Sequence, residues 1–172
     1  MDFSQVLKQR KSIREFAPRE VENEKIIALK DALMMAPTSK SNYPCTFYIV
    51  KDRNVISKLA ETKQHGSAFL KNAPLVVAIA ADIAISDVWI EDAAIATTFL
   101  MLQVTNLELG GCWVQVRNRF HNDKTKAEDY LKELLHIDEH LSVLALYGIG
   151  YPATSNIQPS TPHLMFWNLK KT

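Results

Sequence analysis

The sequence predicts a chain of mixed helices and strands, of the α/β or α+β class. Three observations carry the prediction. Four short runs rich in β-branched, aromatic or aliphatic residues alternate with five or six stretches of helical periodicity. One helical stretch, from about Asp87 to Leu109, is apolar nearly all round. Hydrophobic residues make up 47% of the 172 positions and charged residues 23%, so the chain can bury a core without disulfides or a structural metal.

Each element has its own signal. Phe3, Val6 and Leu7 make a short helical stripe, and the basic segment Arg10-Lys11-Ser12-Ile13-Arg14 follows it. Ile26, Ile27, Leu29, Leu33 and Met34 recur at helical spacing within 22–35, and Pro37 ends that helix. Short polar residues and prolines from Thr38 to Pro44 read as a loop, and 46–50 reads as a strand. A helix is expected over 55–62 and a shorter one over 67–71. The apolar run PLVVAIAA at 74–81 has the length of a strand buried on both faces.

The long helix follows. Ser86 or Asp87 is placed to cap it, Glu91 and Asp92 sit near its positive end, and Gly110 suits the left-handed position after its last turn. At 1.5 Å per residue it would span roughly 33 Å. Its apolar surface suits either a core helix under a sheet or the core of a homodimer with one face on each subunit. A strand at 112–116, a helix at 124–135 and a strand at 142–149 complete the elements. No repeat or linker appears. A single domain over 1–172 is expected, with 152–172 an extended C-terminal tail.

Composition excludes several classes of function. A net charge of +1 lacks the basic excess of a dedicated nucleic-acid binder. The longest apolar-leaning uncharged stretch, 93–107, falls short of the roughly 20 residues a membrane helix needs. The first residues, MDFSQVLKQRK, lack an apolar signal core. Cys45 and Cys112 form no CxxC and are expected to be free thiols in a reducing cytoplasm.

Four segments could carry chemistry. Arg10, Ser12 and Arg14 alternate, so an extended backbone would point them the same way, and two guanidinium forks beside a hydroxyl suit a phosphate. The plain alternative is a solvated turn. The loop Ala36 to Pro44 can hold polar edges of a ligand or simply connect helix to strand. In Leu109-Gly110-Gly111-Cys112-Trp113-Val114 the glycines end the helix or admit a flat ligand close to the backbone. Trp113 is either core or a stacking platform. The fourth, His136-Ile137-Asp138-Glu139-His140, matches the HxxEH pattern of zinc peptidases. That chemistry needs both histidines on one helix face, whereas the helical pattern ends near Leu135, so no metal site is expected. GxSxG, GxGxxG and GxxxxGK[ST] are absent.

Taken in order, these segments resemble the nitroreductase family of FMN-dependent oxidoreductases. R-K-S-I-R-E-F at 10–16 is similar to that family's R-R-S-x-R-x-F, and A-P-T-S-K-S-N-Y-P-C-T-F at 36–47 is similar to its A-P-S-x-x-N-x-Q-P-W-x-F. L-G-G-C-W-V at 109–114 and G-Y-P at 150–152 match its strand after the long helix and its closing motif. The resemblance implies an α+β, three-layer α/β/α sandwich with a mainly antiparallel sheet. It also implies an intertwined homodimer with two FMN sites at the interface.

By the same resemblance, Arg10, Lys11, Ser12 and Arg14 grip the FMN phosphate. Pro37, Thr38 and Ser39, with Ser41 and Asn42 further along the loop, reach the flavin from the partner subunit. Backbone N–H groups of Cys112, Trp113, Val114 and Gln115 face the isoalloxazine ring. NAD(P)H would be the electron donor and a nitroaromatic, quinone or similar small molecule the acceptor. The flavin carries the chemistry, so no side chain is nominated as acid, base or nucleophile.

The chain departs from the family pattern at several positions. Ser41 stands at the loop Asn, Tyr43 at the Gln and Cys45 at the Trp. A basic residue often follows G-Y-P, but 153–164 holds only His163, with Arg117 or Arg119 as substitutes. A flavin-binding protein of the same fold without NAD(P)H turnover is the alternative reading.

Overall fold

The computed structural model describes residues 1–154; the tail expected over 152–172, His163 included, lies outside the described residues from 155 onward. The sheet forms the middle layer. Strands β1 (Cys45–Val50), β2 (Leu75–Asp82), β3 (Gly110–Gln115) and β4 (Leu141–Gly150) run in the order β1-β2-β4-β3, every pair antiparallel. β2 is buried on both faces, as its unbroken apolar run predicts. Leu75, Val77 and Ile79 enter one core, and Val76, Ala78 and Ala80 enter the other.

One layer holds α1 (Phe3–Gln9), α2 (Asn23–Met34) and α4 (Trp89–Asn106). Their core includes Ile26, Leu29, Leu33, Ala93, Ala96, Leu100 and Val104, spaced at helical intervals. The opposite layer holds α3 (Arg53–Leu59), a 3-10 turn at Ala68–Asn72 and α5 (Ala127–Leu135), which bury Ile56, Leu59, Leu70 and Leu131 against the sheet. The architecture is α+β in three layers. Among the described residues no helix is long and apolar enough to cross a membrane.

Local chemistry sets several ends. The Asp2 carboxylate accepts the Gln5 N–H at 3.0 Å while the Gln5 amide oxygen accepts the Asp2 N–H, a capping box that starts α1. Asp52 accepts the N–H groups of Asn54 and Val55 at the start of α3.

The long helix corrects three expectations. It covers Trp89–Asn106, not 87–109, so its 18 residues span roughly 27 Å. Neither Ser86 nor Asp87 caps it. Val88 occupies that position without a side-chain bond, because the Ser86 hydroxyl is drawn to Asp92 instead. Gly110 does not take the left-handed position; Glu108 does, at φ 60°, and Gly110 opens β3. Gly110 answers to packing: a Cβ there would stand 2.6 Å from Ile13 Cγ1. The helix is also not surrounded on all sides. Ile95 and Phe99 are 39% and 37% exposed, and Phe99 lines a cleft together with Phe3 and Met35.

Candidate functional site

The basic segment lies along β3. Ser12 forms a parallel bridge with Gly111, and the Ile13 N–H donates to the Gly111 carbonyl at 2.9 Å. The extended backbone turns Ile13 inward against the core and leaves Ser12 and Arg14 exposed, the alternation its sequence predicts. On its other side the same segment meets the chain after β4. Ala17 N–H donates to Tyr151 O at 2.8 Å, Ala153 N–H donates to Glu15 O at 3.0 Å, and Phe16 bridges Pro152. A groove runs between Lys11–Glu15 and Pro152–Thr154. Three of the sequence motifs, separated by up to 140 positions, thus meet at one sheet edge.

β3 is that edge. The Ile13–Gly111 bond shows that the main-chain groups of Gly111 point away from β4, and strand alternation turns Trp113 and Gln115 the same way. Cys112 and Val114 point their N–H and C=O groups at β4, so they offer no backbone donor to this edge. Among the described residues no strand covers the edge beyond Gly111. Trp113 is partly buried against the α2/α4 core, and its indole N–H donates to Gln115 Oε1 at 3.0 Å. It is therefore anchored core rather than an open platform.

The polar loop lies elsewhere. Its 3-10 turn, Ser39–Ser41, is held at the start of α4. The Ser39 N–H donates to Asp92 Oδ1 at 2.7 Å, the Ser86 hydroxyl donates to Asp92 Oδ2 at 2.7 Å, and Asp92 is only 2% exposed. The Tyr43 N–H donates to the Thr38 hydroxyl, and the Asn42 amide donates to Ile85 O. Lys40, Ser41 and Tyr43 all have φ near +50°, a conformation that non-glycine residues hold only when fixed from outside. Burial, then the Asp92 carboxylate, pushes the neighbouring Cys45 thiol up to about 11. Both cysteines are free.

One chain does not bring this loop to the basic segment. Cys45 pairs with Ala81, Ala81 with Ser142, and Gly111 with Ile149, which sets loop and basic segment at diagonally opposite corners of the sheet. Three strand spacings across and Ser142 to Ile149 along amount to roughly 28 Å. Pro37, Thr38, Ser39, Ser41 and Asn42 therefore form one cluster, and Arg10, Lys11, Ser12 and Arg14 with the β3 edge form another. Arg117 and Arg119 follow the far end of β3, roughly 20 Å along the strand from Ser12, so neither joins the basic cluster.

The HxxEH match dissolves in the fold. α5 ends at Leu135, His136 takes a left-handed C-cap at φ 52°, and His140 turns towards Asp82 at 3.8 Å. The two histidines share no helix face.

The model of the nitroreductase family matches residues 7–66 and 61–151, nearly all of the described chain. The chain belongs to the nitroreductase family. Two archaeal relatives carry the name "Putative NADH dehydrogenase/NAD(P)H nitroreductase". That of Methanothermobacter thermautotrophicus is 29% identical over 97% of this chain and 88% of its own length. That of Archaeoglobus fulgidus is 33% identical over 83% of this chain and 81% of its own. The solved structure of an FMN-dependent nitroreductase from Clostridium difficile R20291 superposes with a TM-score of 0.91 at 36% identity, covering 97% of this chain and 98% of that one. Family membership makes the chain an oxidoreductase.

Sequence reasoning missed two residues of this nitroreductase fold. In the sequence Asp92 reads only as a charge near a helix end. Its place on the apolar stripe with Ala93, Ala96 and Leu100 is the signal of a buried acid. In the sequence Tyr147 reads only as a strand residue. It is an aromatic among small and aliphatic neighbours on β4, beside the two glycines of β3.

Proposed function

We propose that the chain is one FMN-binding domain, working as a cytoplasmic homodimer that takes hydride from NAD(P)H and passes electrons to a small acceptor such as a nitroaromatic or quinone. The observation that carries this reading is the junction at Ser12 and Gly111. It sets three cationic side chains and a hydroxyl beside a sheet edge whose Trp113 and Gln115 N–H groups face outward. That donor set fits FMN: a dianionic phosphate at one end and the carbonyl and nitrogen acceptors of a flat ring at the other. FMN supplies the hydride chemistry when bound.

This chain's residues bind and orient. Arg10, Lys11 and Arg14, with Ser12, hold the phosphate. The β3 edge from Cys112 to Gln115 holds the ring, with Trp113 and Gln115 as the backbone donors. The second cluster, Pro37 to Asn42, reaches the flavin of the other subunit. Two features support the dimer. The clusters stand too far apart to meet on one ligand within a chain, and the outer face of α4 leaves Ile95 and Phe99 exposed beside Met35.

The test is spectroscopic. Purified chain mixed with FMN should retain it through gel filtration at the mass of a dimer, and NADH or NADPH without oxygen should bleach the flavin absorption. Failure to retain FMN refutes the reading. Retention without bleaching by either nucleotide would mark a flavin-binding protein without turnover.

A further inference from the structure

Tyr147 is the least explained polar side chain near the β3 edge. It is 3% exposed, yet its hydroxyl has no hydrogen-bond partner among the described residues. Among those residues no fully enclosed side-chain oxygen or nitrogen lacks a partner, so this hydroxyl keeps an opening to the outside. The ring shows where the opening lies. Tyr147 pairs with Trp113 in register, but its ring leans diagonally over Gly111. A Cβ on Gly111 would meet ring atoms Cε1 and Cζ at 2.4 and 2.9 Å. The far end of the ring thus lies against Gly111, the residue of β3 that Ser12 bridges from the outer edge. Electrostatics agree: burial and the Cys112 thiol raise the pKa of the phenol, and Arg10 is close enough to oppose them.

We propose that the Tyr147 hydroxyl donates a hydrogen bond to the phosphate end of the flavin gripped by Arg10, an inference that rests on the FMN reading above. The geometry gives the hydroxyl one function that folding does not require. A donor with no protein partner adds nothing to the empty fold, and it becomes satisfied when an anion arrives beside Arg10. It also adds a contact from β4 to those of the basic segment and the β3 edge.

Tyr147→Phe removes the hydroxyl and keeps the ring over Gly111. Affinities of the purified full chain for FMN and for riboflavin, which lacks the phosphate, are read by flavin fluorescence quenching, and stability without ligand by thermal unfolding. The expected result is a loss of about tenfold or more in FMN affinity, the scale of one hydrogen bond to a charged group. Riboflavin affinity and melting temperature should stay unchanged. Equal losses for both flavins, or no loss for FMN, overturn the proposal and leave the FMN reading standing. A variant that unfolds or melts far lower shows a structural partner for the hydroxyl and also overturns it. Wild-type chain that binds no FMN sinks both.

Discussion

Asp92 offers the sharpest test of how the loop over 37–44 is held. Its carboxylate is 2% exposed and accepts two hydrogen bonds of 2.7 Å, from the Ser39 N–H and the Ser86 hydroxyl. Asp92→Ala removes both and leaves the Ser39 N–H without an acceptor. Hydrogen bonds to a charged group contribute about 1.5–3 kcal/mol each. Relief of the buried carboxylate's desolvation offsets part of the loss. The net is about 3 kcal/mol, and for a chain of this size that lowers the melting temperature by about 6–12 °C. Asp92→Asn keeps one acceptor oxygen and should lose about half as much. Thermal unfolding followed by circular dichroism measures both. Because three loop residues sit at positive φ, freeing Ser39 should let the loop relax. FMN affinity should then fall although Arg10 to Arg14 are untouched. An Asp92→Ala chain that melts with the wild type would refute the argument that this carboxylate holds the loop.

Two other positions yield direct checks. Gly111→Ala places a Cβ 2.7 Å from the Gly148 carbonyl oxygen and 2.4 Å from the Tyr147 ring, and backbone cannot move aside as a side chain can. Such overpacking costs about 1–3 kcal/mol, visible as a lower urea midpoint; an unchanged midpoint contradicts the packing. The Glu22 carboxyl is held down at about 2 by the Tyr151 hydroxyl at 2.6 Å, its own backbone N–H and the Arg19 guanidinium. A folded-state pKa below the unfolded value stabilises above the unfolded value, 4.5, and the benefit fades as pH falls through about 2. The wild type should therefore exceed Glu22→Gln in stability at pH 6, and the gap should close by pH 2. A gap that is constant with pH would show that the carboxylate's charge plays no part.

The elements were legible because their signals are local. β2 is apolar up to its last residue, Asp82, and its alternate residues feed two cores, while α2 carries Ile26, Leu29 and Leu33 at helical spacing. Boundaries were less legible. The apolar pattern carries α4 to Leu109, but Glu108 turns left-handed and Leu109 N–H donates to Val104 O, so the chain leaves the helix early. Gly110, which reads as a stop signal in the sequence, is small because Ile13 packs on it. No local pattern distinguishes those two uses of a glycine.

Sequence alone determined the class of fold, the basic segment and the family, because hydrophobic period and short motifs are properties of neighbouring residues. Tertiary structure decided what those motifs face. Strand order and register are set by pairing between residues far apart in the chain, such as Gly111 with Ile149 and Cys45 with Ala81. That pairing carries R-K-S-I-R and G-Y-P to one corner and the A-P-T-S loop to the opposite one. It also buries Asp92 under the loop and lays Tyr147 across Gly111. Those two roles depend on contacts between strands, helix and loop that no single segment encodes.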